Sequence, residues 1–174
     1  MLRLLLLRHS KAAPHTRTRD HERALIERGR EDAARIGAHI AAQGLAPMEA
    51  LHSGSKRTKE TVEIALKAMK KTIPVGVDSR LYEATDDEFV EVVRSYPGKA
   101  DPLMVVGHNP SMAEAARRLV GAGDGIGLMR MSAKFPTSGL AIIEFDAERW
   151  SDAQERGGRL VDFVTPAALG GHDD

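Results

Sequence analysis

Leucine fills positions 2 and 4 through 7, and the run is cut at once by Arg8-His9-Ser10-Lys11. A short unbroken apolar stretch bounded by charge reads as a strand buried on both faces. Such strands occur where helices cover both sides of a parallel sheet, so this one feature points to an α/β protein. The run does not read as a leader, because a secretory core needs about 7–15 apolar residues followed by a small-residue cleavage site. A membrane span would need about 20 apolar residues, and no stretch approaches that. The expectation is a cytoplasmic protein without a membrane partner.

The rest of the chain alternates short apolar runs with longer amphipathic ones. Leu25, Ile26, Ala33, Ile36 and Ile40 recur at helical spacing and predict a helix over Glu22–Gln43, with Gly44 as its stop. Strands are expected at Met48–His52, Val75–Val77, Leu103–Val106, Leu140–Phe145 and Leu160–Val164, and helices at Lys56–Lys70, Asp86–Ser95 and Met112–Val120. Residues 121–127 (GAGDGIG) read as a glycine-rich loop running on toward Pro136, and residues 166–174 as a frayed tail. With 174 residues, no repeat and no linker composition, the chain reads as a single domain over 1–174.

Composition narrows the chemistry. There is no cysteine, which excludes disulfides, thiolate metal sites and thiol nucleophiles. Lys+Arg and Asp+Glu number 25 each, so no net field draws the chain to nucleic acid. Aromatic residues are only 4%, too few for a base-stacking platform. The glycines at 121, 123, 125 and 127 follow a helix instead of a strand, which is the wrong context for a dinucleotide loop.

Ligands of open α/β sheets bind beyond the carboxyl ends of the strands. Three expected strand ends carry Arg8-His9-Ser10-Lys11, Ser53-Gly54-Ser55-Lys56-Arg57 and Gly107-His108-Asn109-Pro110, with no Asp or Glu among them. Arginine forks fit phosphate oxygens bidentately, and helix starts at Arg57 and beyond Pro110 would add amide donors. Each residue alone has an ordinary reading: Arg57 as a surface charge, His108 as a turn residue, Arg8 and His9 as a solvated loop. Their joint occurrence at three equivalent strand ends points to an anion site. His15, His21 and His39 read as surface residues, and His52, at a strand end, as core or loop.

The stretches LLLLRHSKA (4–12), SGSKRTKET (53–61) and VVGHNP (105–110) resemble the histidine phosphatase superfamily, which includes phosphoglycerate mutases and many phosphatases. Arg-His-Ser-Lys in place of Arg-His-Gly is similar to the SixA-type phosphohistidine phosphatases. Asp20, Arg23, Leu25, Gly29 and Pro136-Thr137-Ser138-Gly139 extend the likeness over about residues 2–146. The resemblance implies a three-layer α/β/α sandwich with a mostly parallel central sheet, phosphoglycerate mutase-like. It implies His9 as a nucleophile that is transiently phosphorylated, Arg8 and Arg57 as clamps on the phosphoryl oxygens, and His108 as a donor to the same oxygens. Glu83, in Leu81-Tyr82-Glu83, falls where mutase-like relatives carry an acid. Ser10, Lys11 and Asn109 are near enough in sequence to touch a bound phosphate. No metal or cofactor is implied.

The function expected is a cofactor-independent phosphatase whose partner is a phosphorylated histidine on a protein, such as a phosphotransfer domain. Only 50 residues separate Arg57 from His108, which leaves little chain for a deep lid. A small phosphate ester is the alternative substrate. A non-catalytic phosphate-binding module is the alternative from another class. A metal-dependent hydrolase built on His9, His52 and His108 would lack a carboxylate at these strand ends.

Overall fold

The computed structural model describes residues 1–174 and contains a seven-stranded sheet in the order β3-β2-β4-β1-β6-β7-β5. The strands are β1 (Leu2–Arg8), β2 (Glu49–His52), β3 (Val75–Val77), β4 (Leu103–Gly107), β5 (Val120–Gly123), β6 (Leu140–Phe145) and β7 (Gly158–Val164). Only β6 runs against the others, so the sheet is mostly parallel. The α/β fold expected from the first strand is therefore present. No helix is long and apolar enough to cross a membrane.

Strand side chains alternate between two faces, and β1 shows what its leucine run is for. Leu4 and Leu6 enter a 25-residue cluster with α3 (Asp86–Arg94) and α4 (Ser111–Leu119), through Phe89, Val93, Met112 and Leu119. Leu5 and Leu7 enter a 14-residue cluster with α1 (Glu27–Ala42) and α2 (Lys56–Met69), through Ile36, Ile40, Val62 and Ala65. All four leucines are fully buried, which is why the strand is apolar without alternation. The register aligns Arg8 with Gly107 and His52 with Val106, so the loops after β1, β2 and β4 leave the sheet at one level.

Three expectations are corrected. The first helix starts at Glu27, not Glu22; a short 3-10 turn covers Asp20–Glu22 and residues 23–26 run extended. Leu25 pairs with Ala12 in an antiparallel bridge, and its N–H donates to the Glu60 carboxylate at 3.0 Å. The apolar spacing of Leu25 and Ile26 thus reflects burial against the loop after β1, not an extra helical turn. Gly29 lets α1 lie on that loop, since a Cβ there would stand 2.1 Å from the Lys11 carbonyl oxygen.

The glycine-rich 121–127 segment is not a loop. It forms the edge strand β5 and the start of α5 (Gly125–Ala133). Asp124 caps that helix, its carboxylate accepting from Gly127 N–H at 3.0 Å. Gly121 and Gly123 permit close packing on residues 156 and 160, and Gly123 has φ of 152°, a conformation open to glycine at no steric cost. The 166–174 tail is tied down instead of frayed. A 3-10 turn covers Ala167–Leu169, His172 bonds to Asp32, and Asp174 reaches Lys11 and Thr137.

Candidate active site

Arg8, His9, Arg57 and His108 line one cavity of about 330 Å³ at the common end of β1, β2 and β4. The backbone sets their positions. Arg8 N–H donates to Gly139 and His9 N–H to Gly107, which locks the loop after β1 between the ends of β6 and β4. Ser138 N–H is shared by the Arg8 and His9 carbonyls, so the Pro136–Gly139 turn braces the same loop. Arg57 sits in the first turn of α2, an unfavourable place for a cation beside the positive end of a helix.

Hydrogen-bond partners assign the imidazole protons. His9 Nδ1–H donates to the Ser10 carbonyl at 2.8 Å, which leaves Nε2 with its lone pair. The Arg57 guanidinium stands 3.3 Å from His108 Nδ1. Arginine can only donate, so this Nδ1 is an acceptor and the ring proton lies on Nε2. That Nε2–H goes to Ser53 Oγ at 2.7 Å, within a buried hydroxyl cluster of Ser53, Ser55 and Thr58. The sequence expectation has His108 donating to a phosphoryl group; in this resting arrangement its only N–H is committed to Ser53.

Burial foremost, then the positive neighbours, pushes His9 down to about 3, against the opposing Ser10 hydrogen bond. Burial and then Arg57 push His108 down to about 4, with Asp20 opposing. Both causes disfavour the charged ring, so both histidines are neutral at pH 7. An unfolded chain takes up protons on these histidines below about pH 6.5. The native state refuses them until far lower, so stability falls as pH drops through that window. The expected slope approaches about 1.4 kcal/mol per pH unit for each histidine. Urea midpoints measured from pH 7 to pH 5 check this, and a flat series would contradict it.

The two arginines are unequally partnered. Arg57 Nη1 donates to the Asp20 carbonyl at 2.8 Å and Nη2 to Asp20 Oδ2 at 3.1 Å. Arg8 Nη1 donates to the Phe135 carbonyl at 3.0 Å. The Nε–H of each arginine is buried with no acceptor in the protein. An unsatisfied buried donor costs about 1–3 kcal/mol, and more when charged. Arg94 Nε, away from the cavity, is buried in the same way; the cavity itself is lined by the cationic side chains of Arg8, Lys11, Arg23 and Arg57 against the carboxylates of Asp20 and Glu83.

Three of the amides in the first turns of α2 and α4 are already bonded within the protein. Thr58 N–H is taken by Ser55 Oγ, Met112 N–H by the His108 carbonyl, and Ala113 N–H by Asn109 Oδ1. Ser10 is corrected as a phosphate contact. Its hydroxyl is fully buried against Ser138 at 2.5 Å and its N–H donates to Thr61, so it shapes the loop instead. Asn109 lines the cavity, but its amide spans Phe135 and Ala113. Lys11 lines it while paired with Asp174 at 3.1 Å. Glu83 is exposed at the rim with φ of 53°, a backbone state that non-glycine residues rarely adopt. His52 does not line the cavity; its Nδ1 accepts from Gly54 N–H at 3.0 Å.

Asp20, Arg23, Tyr82 and Thr137 complete the lining with Ala12. Asp20 and Arg23 stand out in the sequence only through the family likeness, and Tyr82 not at all. Asp20 Oδ2 accepts from both Arg57 and the Tyr82 hydroxyl, and Oδ1 from Arg23 at 3.0 Å. The Tyr82 bond, then Arg23 and Arg57, hold the Asp20 carboxyl far below the usual carboxylate range. The Tyr82 ring also stands edge-on to His108, centroids 5.6 Å apart. No spacing rule links residues 20, 57 and 82, so only the fold could reveal this triangle.

A mostly parallel sheet with helices on both faces and a cationic pocket with two histidines at its strand ends defines the phosphoglycerate mutase-like class of α/β proteins. The sequence profile of the histidine phosphatase superfamily (branch 1) matches residues 4–88. An uncharacterized protein of Mycobacterium tuberculosis is 31% identical over 162 residues, spanning 92% of this chain and 99% of that one. The structure of a provisionally assigned phosphohistidine phosphatase SixA from Agrobacterium tumefaciens is similar at a TM-score of 0.79 and 28% identity, over 95% of this chain and 98% of the other. The protein histidine phosphatase SixA complexed with tungstate shares the fold at a TM-score of 0.75 and 19% identity, over 97% and 99% of the two chains. The chain belongs to the histidine phosphatase superfamily, in its SixA-like branch.

Proposed function

We propose that this protein is a phosphatase that works through a covalent phosphohistidine at His9 and acts on phosphohistidine carried by another protein. The observation that carries the reading is the free lone pair of His9 Nε2 in a cavity lined by the Arg8 and Arg57 side chains. A neutral imidazole with a fixed tautomer is a nucleophile at neutral pH, and the arginines supply charge for the phosphoryl oxygens.

In the first step His9 Nε2 bonds to phosphorus as the bond from phosphorus to the substrate nitrogen breaks. The departing imidazole takes a proton on that nitrogen from water at the open rim, and the water that attacks in the second step gives a proton back to solvent. Water then attacks phospho-His9, releasing inorganic phosphate and returning the ring to its starting state. Arg8 and Arg57 hold the phosphoryl oxygens through both displacements. For His108 to donate as well, the ring proton moves to Nδ1 while Ser53 turns its hydroxyl toward Nε2, or the ring binds a second proton beside the dianion. Glu83 is the acid at the rim; a nitrogen leaving group asks less of it than an alkoxide would.

Two features favour a protein-borne substrate. The chain between Arg57 and His108 is consumed by α2, β3, α3 and β4, leaving only a short rim around Tyr82 and Glu83. The likeness to SixA proteins points the same way. The test is rapid-quench incubation with a phosphohistidine protein and with an aryl phosphate, in EDTA, following acid-labile phosphate on the enzyme. A higher kcat/KM on the phosphohistidine protein is expected. Much faster hydrolysis of small esters would overturn the substrate assignment. Glu83→Gln is expected to slow an alkyl phosphoester about tenfold or more and phosphohistidine little. Equal small losses on both would remove Glu83 from the mechanism.

A further inference from the structure

Asp174 holds a position that the phosphatase reading does not use. One carboxylate oxygen lies 3.1 Å from Lys11 Nζ. The other accepts from Thr137 N–H at 2.9 Å and stands 3.6 Å from Arg8 Nη1. The Asp174 backbone carbonyl accepts from Lys134. The tail reaches this place because His172 is held on the buried Asp32, its N–H at 3.2 Å and Nδ1 at 3.1 Å, and because Gly171 N–H donates to Pro166 at 2.8 Å. Partial burial works to raise the Asp174 carboxyl, but the Thr137 and Lys11 hydrogen bonds together outweigh it and hold the group down to about 2.

The three donors belong to the end of β1, the loop after it and the Pro136–Gly139 turn. Arg8, Lys11 and Thr137 all line the phosphoryl cavity, and Lys11 and Thr137 also line the small cavity that Asp174 borders. The carboxylate and a bound phosphoryl group would therefore share a wall and compete for Arg8. The Asp174 side chain is only 17% exposed. Salt screens such a shielded charge weakly, so it is felt across that wall.

We propose that Lys11, Thr137 N–H and Arg8 form a second anion subsite beside the phosphoryl pocket, which Asp174 fills until a second anionic group of the substrate displaces it. The proposal rests on the phosphate-binding reading of the Arg8, His9, Arg57 and His108 cavity. The anion is a carboxylate if the substrate is a protein with an acidic residue near its phosphorylated side chain, or a second phosphate if it is a small bisphosphate. In either case the tail discriminates against substrates bearing one anionic group.

Calorimetric binding of non-hydrolysable phosphonates tests this without turnover. The probes are methylphosphonate (one anion), 3-phosphonopropionate (phosphonate with carboxylate) and 1,3-propanediphosphonate (two phosphonates). Asp174→Asn should bind methylphosphonate about 3- to 10-fold more tightly than wild type, the effect of removing one nearby like charge at intermediate dielectric. In that variant the two-anion probes should gain a further several-fold, and adding Lys11→Met should abolish the gain. The arm with the larger gain identifies the carboxylate or the phosphate source. In wild type, saturation with the better probe should move the amide resonances of residues 172–174 toward random-coil positions. Equal methylphosphonate affinity in wild type and Asp174→Asn, or no gain from a second anion, would overturn the subsite alone. No methylphosphonate binding to either protein would overturn both the subsite and the phosphate reading.

Discussion

His9→Ala is expected to abolish the covalent phosphoenzyme and to lower turnover by about four orders of magnitude or more, the scale seen when a nucleophile is removed from a cooperating set. The ring is held by one hydrogen bond from Nδ1 to the Ser10 carbonyl, with the backbone fixed independently through Gly107 and Ser138. Removing it should leave the loop in place. The variant should also lose less stability in acid than wild type, because a ring that resists protonation when folded no longer favours the unfolded chain as pH falls. Rapid quench with radiolabelled donor reads the first effect, and urea midpoints at pH 7 and pH 5 read the second. Retention of most of the activity would remove His9 from the chemistry altogether.

Arg57→Ala is expected to reduce kcat by about 100- to 1,000-fold, the scale for losing a preorganised donor aimed at developing charge. Arg57 reaches the Asp20 carbonyl, the Asp20 carboxylate and His108 Nδ1 at once, and only a planar fork can do so. Arg57→Lys should therefore recover little, although it restores the charge. The fold should survive, since Asp20 keeps Arg23 and Tyr82 as partners. Steady-state kinetics beside a thermal melt check both parts. A change in kcat far below that range, with an unaltered melt, would show that Arg57 does not bear on the phosphoryl group.

Much of the framework was legible in the chain because it is local. Leu4–Leu7 specifies a strand covered on both sides, and residues 103–106 specify its neighbour; the chemistry follows each strand at a fixed offset. The errors share one cause. The spacing of Leu25 and Ile26 and the glycines of 121–127 are each compatible with two structures, and distant partners chose between them. Ala12 and Glu60 draw the first segment out of the helix, while β7 and the Asp124 cap turn the second into strand and helix. The tail reads as loose in the sequence because its partners, Asp32, Lys11 and Thr137, lie 37 or more residues away along the chain.

The sequence by itself determined the α/β class and the strand-end positions of Arg8, His9, Arg57 and His108, because apolar runs and strand-end chemistry are short-range properties. Tertiary structure alone decided how those residues are armed. Asp20 and Tyr82 orient Arg57, Ser53 holds the His108 proton, the Ser10 carbonyl frees His9 Nε2, and Asp174 comes to rest beside Arg8. Proton positions and charge pairing depend on which groups meet across a few ångströms, and that is fixed only when the loops after β1, β2 and β4 close on one cavity.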